Sequence, residues 1–532
     1  MNKKVWKIVG IILYILSIAM LIRSVTLCFE TDIWYDEVFS VKYGLESFDQ
    51  MIADTACDVH PPLYYILLNV GILIGQNFGM DPVYAAKTVS VVPYIIICLY
   101  SAFFVRKRWG WICAGLLPLM LVGMPQMSEY TVEIRMYSWA MFFVLAFFMH
   151  AYGIIENTYT SATNKKILIH SVPLVIYGIA AFYTHYYAVM AIFFMYLFLI
   201  IWTTKEFIKT MKIKQNKGDA DERIDYNFRA PATALIGFNM ALVSFVPWIS
   251  VVVSQVKSVA SSYWIQPVSF STLGGIVKYL CKPEFSNEIL NNIIAVVLFF
   301  MFLLIIIVGI KKLKKNERIL LICGFGSFVL VVFAGLFASV ILRPVFIYRY
   351  MIPALGFVWL PICILIATLI DSEKGVSKTL SITLAGIITI VCIRDYYAFR
   401  GNELYKKVNM ELTQNAIDEI ADNYDTESVK IVCNFNQIQA LMYYYLEEYD
   451  IYLYGSEIEG PYKILNPKAE SFYDVSQISK WLDKGEKVLF LGSFNARDEI
   501  LENFYESEGI ENTETGSYLL ERYWFNIYEL YK

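Results

Sequence analysis

The chain has 532 residues, 57% of them hydrophobic and 17% charged, and its mean hydropathy is +0.51. That is too apolar for a soluble protein of this length and marks a polytopic membrane protein. The formal net charge of −4 names no partner, because in such a chain the distribution of charge matters more than its sum; no nucleic-acid partner is expected.

The N-terminus reads Met1-Asn2-Lys3-Lys4 and then runs apolar from about Val5 to Cys28. The run is too long for a signal-peptide core and no small-x-small cleavage site follows it. It predicts an uncleaved first transmembrane helix with the lysines inside. Directly after it comes Ile33-Trp34-Tyr35-Asp36-Glu37-Val38-Phe39-Ser40. Asp36 and Glu37 sit between aromatic residues at the bilayer edge, where ions are costly. Adjacent residues point apart, so the two carboxylates do different jobs. One takes a proton while the other holds a metal, a backbone group or its neighbour.

A second stretch, Asp58-Val59-His60-Pro61-Pro62-Leu63-Tyr64-Tyr65, follows. Residues 62–78 are apolar enough to invite a crossing. Counting one there would turn Arg106-Lys107-Arg108 outward or put Asp36 and Glu133 on opposite sides, against the charge rule. The segment is therefore expected to be an interfacial helix started by Pro61-Pro62, with a second interfacial helix over 41–56. The first outer loop, 29–85, becomes a folded cap on the membrane.

Further spans are expected near 86–105, 110–127, 137–155, 167–183, 187–203, 231–253, 290–310, 319–342, 350–370 and 379–395, about 11 with the first. The block 167–203 is too long for one helix and divides at Thr184-His185-Tyr186. Inner loops then hold Arg106-Lys107-Arg108, Lys165-Lys166, the basic stretch Lys205 to Arg229, Lys311 to Lys315, and Lys374 and Lys378. The Lys/Arg bias is roughly 21 to 7 in favour of this orientation, which puts Asp36, Glu37, Glu133, His185 and Arg349 outside. A third stretch, Glu129-Tyr130-Thr131-Val132-Glu133-Ile134-Arg135-Met136-Tyr137, precedes a span. Glu133 and Arg135, two apart, share no helix face. Either one braces the other or the segment is partly unwound.

After about Gly401 charged residues become common and apolar runs shorten to strand length. Lys430–Phe435, Ile451–Gly455 and Lys487–Gly492 read as buried strands, with helices over Asn436–Glu448 and Val475–Lys484. This predicts a C-terminal α/β domain, 401–532, behind a transmembrane domain, 1–400. An odd number of spans puts the domain outside. It contains no GxGxxG and no Walker sequence. The nine cysteines are scattered, mostly within apolar runs, and read as small core residues; a Cys57–Cys281 bridge has no support in the spacing.

The three stretches, taken in order, resemble the GT-C membrane glycosyltransferases, in particular glycosyltransferase family 39, and are similar to motifs of protein O-mannosyltransferases and lipid-A aminoarabinose transferases. Phe346-Ile347-Tyr348-Arg349-Tyr350-Met351-Ile352-Pro353 resembles that family's late RYxxP element, and Tyr183-Thr184-His185-Tyr186 another landmark. The resemblance covers roughly 1–400 and implies a GT-C architecture. It also implies inverting transfer of a sugar from a polyprenyl-phosphate carrier, on the outer face, to a lipid, wall polymer or protein. Asp36 is then the candidate base, with Glu37 and Glu133 beside it as catalytic candidates. Arg349 is the candidate for the departing phosphate, with Arg135 and Lys87 behind it. His60, Tyr137, His185 and Tyr350 complete the substrate-binding candidates. At Lys87 the sequence departs from the family pattern, since Thr88-Val89-Ser90 follows instead of Pro-Ser. A divalent metal is left open, because no spacing demands one.

Two other classes compete with this expectation. A transporter or flippase of lipid-linked sugars would carry ionisable groups at mid-membrane and two similar halves; acidic residues are instead nearly absent from the spans. A non-catalytic assembly protein would be indifferent to Asp36→Asn.

Overall fold

The computed structural model describes residues 3–31, 33–158, 164–217, 229–261, 265–372, 375–458, 463, 465, 468–494, 496–520 and 523–532. Lys374 and positions 218–228 of the basic stretch lie outside the described residues. Two compact units emerge. One comprises Met1–Cys28, Val59–Met80 and Tyr84–Arg400; the other comprises Phe29–Asp58, Asp81–Val83 and Gly401–Lys532.

The first unit is helical, as backbone polar groups in hydrocarbon require. Its helices are α1 (Lys3–Glu30), α4 (Leu63–Asn77), α5 (Pro82–Tyr100, from Tyr84 onward), α6 (Arg106–Gly123), α7 (Tyr137–Glu156), α8 (Asn164–Phe182), α9 (Tyr186–Lys217), α10 (Arg229–Ser261), α11 (Phe270–Cys281), α12 (Glu288–Gly309), α13 (Lys315–Ile341), α14 (Gly356–Ile370) and α15 (Val376–Asn423, up to Arg400). The protein is a multi-pass membrane protein. Among the described residues eight helices are long and apolar enough to cross a bilayer, or nine if Tyr348–Ala354 and α14, bent by 60°, make one span. Pro82–Gly123 counts once in that number, although Gly110, with φ of 79°, breaks it into two helices. Lys166–Phe182 and α4 are shorter apolar helices. The 15 residues of α4 rise only about 22 Å at 1.5 Å each, short of the roughly 30 Å hydrocarbon core.

α7 is apolar all round, and every residue from Tyr137 to Ile155 is buried, as a helix at the centre of a bundle must be. α10 and α12 instead expose rows of Val, Ile and Leu such as Val243, Val246, Ile293 and Ile307, which suits lipid. α1 meets α6 at two glycines. A Cβ on Gly10 would lie 2.3 Å from the Trp111 carbonyl carbon, and one on Gly115 would lie 2.3 Å from the Gly10 carbonyl oxygen.

Two expectations need correction. The single interfacial helix over 41–56 is two helices, α2 (Tyr35–Leu45) and α3 (Phe48–Cys57). Ser47 restarts the chain by accepting the Gln50 N–H, and α2 begins early enough to hold Asp36 and Glu37 in its first turn. The span expected over 350–370 begins instead as a 3-10 turn, Tyr348–Ala354, and turns helical only at Gly356. Pro353 sits in that turn, and proline disfavours a continuous α-helix through the residues before it. α11 went unanticipated.

The second unit holds α2, α3, the end of α15 and a six-stranded sheet of order β3-β2-β1-β4-β6-β5. β1 (Val429–Cys433), β2 (Asp450–Tyr454), β3 (Glu470–Phe472) and β4 (Lys487–Ser493) run parallel, whereas β6 (Tyr523–Tyr531) is antiparallel to β4 and to β5 (Glu511–Leu520). One face carries Val432, Val488, Phe490, Tyr528 and Leu530 against Ile478 and Trp481 of α17 (Ser476–Asp483) and Leu501 and Phe504 of α18 (Ala496–Glu508). α16 (Asn436–Tyr445) packs on β1 and β2 and adds nothing to that cluster, so it covers the other face. The β5–β6 hairpin was not legible, because β5 is mostly polar and exposed and lacks the apolar run of a buried strand. All nine cysteines are free, and all but Cys57 are buried.

Candidate functional site

α2 begins at Tyr35, with Trp34 at its N-cap. The Trp34 N–H donates to a Glu37 carboxylate oxygen across 2.9 Å, the back-reaching bond of a capping box. Both carboxylates lie in the first turn, where the helix dipole favours negative charge. Glu37 is buried and Asp36 half-buried. Of the alternatives open to this pair, Glu37 thus holds a backbone group. Both residues belong to the second unit.

In the first unit the remaining candidates gather at helix ends. The Leu63 N–H, at the start of α4, donates to the Tyr183 carbonyl across 2.8 Å. This ties the entry of α4 to the turn between α8 and α9. His60 and His185 consequently stack, with ring centroids 5.6 Å apart and planes 27° apart. Arg135 Nη2 lies 3.3 Å from His60 Nε2. A guanidinium only donates, so His60 Nε2 accepts and the ring proton sits on Nδ1. The Tyr187 N–H donates to His185 Nδ1 across 3.1 Å, so the His185 proton sits on Nε2. That Nε2 is buried and has no hydrogen-bond partner among the described residues.

Both imidazoles are neutral. Burial, then the charges of Arg135, His185 and Arg349, hold His60 well below the usual histidine range. Burial, then Arg135 and Arg349, lower His185 to about 3. The cationic charge of this cluster therefore comes from the arginines. The Arg349 guanidinium carbon stands 5.8 Å from the Tyr137 ring centroid. Tyr137 in turn contacts His185 at 5.5 Å and Tyr350 at 6.5 Å, and Tyr350 meets His185 edge-on at 5.3 Å.

Glu133 and Arg135 lie in the non-helical stretch between the 3-10 turn Glu129–Thr131 and α7. The segment is unwound, as their spacing allowed. The Arg135 N–H bonds the Glu133 carbonyl at 2.7 Å, and Ser90 Oγ donates to the same carbonyl at 2.6 Å. Ser90 is on α5, one turn from buried Lys87, so Lys87 shares the α5 face that Ser90 turns to this irregular stretch. Glu133, Arg135 and Lys87 are all buried.

The first unit thus brings together His60, Arg135, Tyr137, His185, Arg349 and Tyr350, with the Glu133 backbone and Lys87 alongside. Chemically this is a donor-rich cluster: two guanidiniums, the buried Nε2–H of a neutral histidine and aromatic rings. It suits a phosphate or another anion next to an apolar chain. Among the described residues no three His, Cys, Asp or Glu side chains converge as metal ligands would.

Two tyrosines, Tyr187 and Tyr279, lie outside the stretches singled out in the sequence, and two within them, Tyr130 and Tyr348, were not named as site residues. Tyr187 packs against Tyr350 at 4.9 Å with the rings tilted by 44°, and its hydroxyl donates to the Val345 carbonyl at 3.1 Å. Tyr130 and Tyr279 share a hydroxyl hydrogen bond of 3.2 Å, and Tyr279 stacks on Tyr348 at 5.9 Å. The position of Tyr187 beside the Tyr183-Thr184-His185-Tyr186 landmark was a usable signal. Nothing around Tyr279 marked it.

Long and bent apolar helices with arginines and histidines gathered at their ends, in a chain that continues into an α/β domain, are the GT-C fold of membrane glycosyltransferases. Two solved structures of ArnT from Cupriavidus metallidurans superpose on this chain from end to end. The apo form does so at a TM-score of 0.57 and 12% identity, over 97% of each chain. The form bound to undecaprenyl phosphate gives 0.58 and 12% identity over 99% of this chain and 98% of that one. The oligosaccharyltransferase AglB from Archaeoglobus fulgidus matches at 0.45 and 10% identity, over 89% of this chain and 69% of that one. The sequence matches no protein-family model and no curated protein.

Proposed function

We propose that this protein transfers a glycosyl group from a polyprenyl-phosphate-linked donor to an acceptor hydroxyl on the outer face of the membrane. The observation that carries this reading is the cluster of buried Arg135 and half-buried Arg349 beside two buried, neutral histidines. The likeness in fold to an ArnT structure bound to undecaprenyl phosphate supports it. So does the Lys/Arg bias along the chain, which favours an outer site and an outer C-terminal domain. Outside the cell no nucleotide sugar is supplied, so an activated sugar must arrive on a lipid.

In this reading the reaction is a single displacement. Asp36 takes the proton of the acceptor hydroxyl, and the acceptor oxygen bonds to the anomeric carbon from the side opposite the phosphate. The bond from that carbon to the phosphate oxygen breaks, and polyprenyl phosphate leaves with the electron pair. Arg349 and Arg135 stabilise the charge that grows on the phosphate, and His185 Nε2–H adds a neutral donor. Tyr137 and Tyr350 hold the arginines and histidines in place from one side. Glu37 fixes the start of α2, and Glu133 bears on the acceptor or on Arg135. The acceptor is a lipid, a wall polymer or a protein.

The test begins with mass analysis of polyprenyl-phosphate sugars in cells lacking the protein. One lipid-linked sugar should accumulate, and purified protein given that donor and a cell-envelope extract as source of acceptor should transfer the sugar and release polyprenyl phosphate. Asp36→Asn should abolish that turnover and leave lipid binding intact. Full turnover by Asp36→Asn would remove Asp36 as base. Transmembrane movement of the lipid with no bond broken would make the protein a flippase.

A further inference from the structure

The C-terminal α/β domain has no part in the reaction as written above, yet one of its helices is covered on too many sides. In α16, Ile438, Leu441, Met442 and Tyr445 recur at i, i+3, i+4 and i+7, the stripe of a helix laid on a sheet, and β1 and β2 are the strands it packs on. Gln439, Ala440 and Tyr443 fall on the opposite side of the helix. On a helix lying over a sheet that side faces water. Here the three residues are 0%, 0% and 7% exposed. Among the described residues α2 also packs on α16. α2 belongs to the same compact unit as the C-terminal domain, although the two lie at opposite ends of the sequence. α2 buries Glu37, Val38, Ser40, Val41, Tyr43 and Gly44, and its first turn carries Asp36.

We propose that the C-terminal domain serves the reaction as the seat of α2, with Gln439, Ala440 and Tyr443 as positioning residues that hold Asp36 in place through that helix. This rests on the reading of Asp36 as base. A base must stand within about 3 Å of the proton it takes, and a misplacement of about 1 Å costs on the order of a hundredfold in rate. Ala440 is the most sensitive of the three. Its methyl is fully buried, on the side of α16 opposite the stripe of Ile438, Leu441 and Met442. A larger side chain there moves α2 rather than the strands.

The experiment uses the full-length protein in lipid nanodiscs and two readouts. The first is turnover of the lipid-linked sugar that accumulates in the deletion strain. The second is the mobility of a spin label on Cys57, the exposed one of the nine cysteines, at the end of α3, which packs on α2. Ala440→Leu should lower kcat by about tenfold or more, leave the donor KM within about twofold of wild type, and loosen the label. Ala440→Ser should match wild type in both readouts. Wild-type kcat together with an unchanged label in Ala440→Leu would overturn the proposal. If Ala440→Leu does not fold, Tyr443→Leu, which opens space under α2, decides by the same two readouts. Asp36→Asn separates the two claims. Full turnover in Asp36→Asn removes the base itself, whereas loss there beside a silent Ala440→Leu removes only the seat.

Discussion

Tyr187 donates its backbone N–H to His185 Nδ1 across 3.1 Å, and this single bond decides what His185 offers the site. With Nδ1 accepting, the ring proton stays on Nε2, which is buried among Tyr137, Tyr350 and His60. A neutral N–H of this kind does not change with pH across the physiological range, so the cluster keeps one constant donor beside its arginines.

That donor has a stability cost in acid. His185 titrates near 3 in the folded chain and near 6.5 when unfolded. Above about pH 6.5 neither state is protonated and the contribution of His185 is intact. As pH falls from there toward 3 only the unfolded state takes the proton, and stability drops by about 1.4 kcal/mol per pH unit for one such group. His60, lowered for the same reasons, acts in the same direction. Thermal unfolding in detergent from pH 7.5 to 5 should show the decline, and His185→Gln, which keeps an N–H donor and loses the titration, should make it shallower. Equal slopes in both proteins would count against the neutral imidazole.

Arg349 should matter to the lipid more than to the fold. It is half-buried on a 3-10 turn and packs over Tyr137. A hydrogen bond to a charged group is worth about 1.5–3 kcal/mol, so, if the proposed function holds, Arg349→Ala should weaken binding of a polyprenyl phosphate by about 10- to 100-fold. Arg349→Lys should recover part of that, because a point charge replaces a planar fork. Titration of the lipid against the midpoint of thermal unfolding measures both variants. Unchanged lipid stabilisation in Arg349→Ala would move the phosphate elsewhere.

The first outer loop should respond to alkali. Burial, then the hydrogen bond and charge of Asp54, raise Glu46 to about 8, and Lys42 opposes the shift. A raised carboxyl stabilises the fold fully below its unfolded value of about 4.3 and loses that contribution as pH climbs through 8. Amide exchange in α3 should therefore quicken between pH 5 and 8 beyond the intrinsic rate increase, and follow the intrinsic rate above about pH 8. Glu46→Gln, which stays protonated-like at all pH, should hold α3 steady over that range.

The crossing of α1 and α6 should be the least tolerant contact in the helical unit. A Cβ on Gly10 or Gly115 meets main chain at 2.3 Å, and main chain cannot swing aside as a side-chain tip does. Gly10→Ala and Gly115→Ala should each cost about 1–3 kcal/mol, read as a lowered unfolding midpoint. Gly386→Ala is the control. Nothing lies within 4 Å of its Cβ, and alanine is the better helix former by about 1 kcal/mol.

Much of the helical unit was open to reading because hydrocarbon imposes one rule on every span. A run of some twenty apolar residues must be a helix, so the positions of α1, α7, α9 and α12 follow from composition alone. The break at Tyr183-Thr184-His185 was readable because the apolar block around it exceeds one membrane thickness. Lys430–Phe435 and Lys487–Gly492 were readable as β1 and β4, since buried parallel strands are continuous apolar runs. β5 was not, because an exposed hairpin strand carries the polar composition of a loop.

By itself, the sequence determined the class of the protein, the apolar runs that form most of its long helices, and which charged and aromatic residues lie at the ends of those runs. Each is a local property, set by transfer of side chains and backbone between water and lipid. Tertiary structure alone decided that His60 stacks on His185, that Arg135 turns toward His60, and that α2 joins the C-terminal domain and lies against α16. Periodicity states which face of a helix is buried but not against what. The partner is chosen by close packing between segments remote in the chain, and no stretch of sequence records that choice.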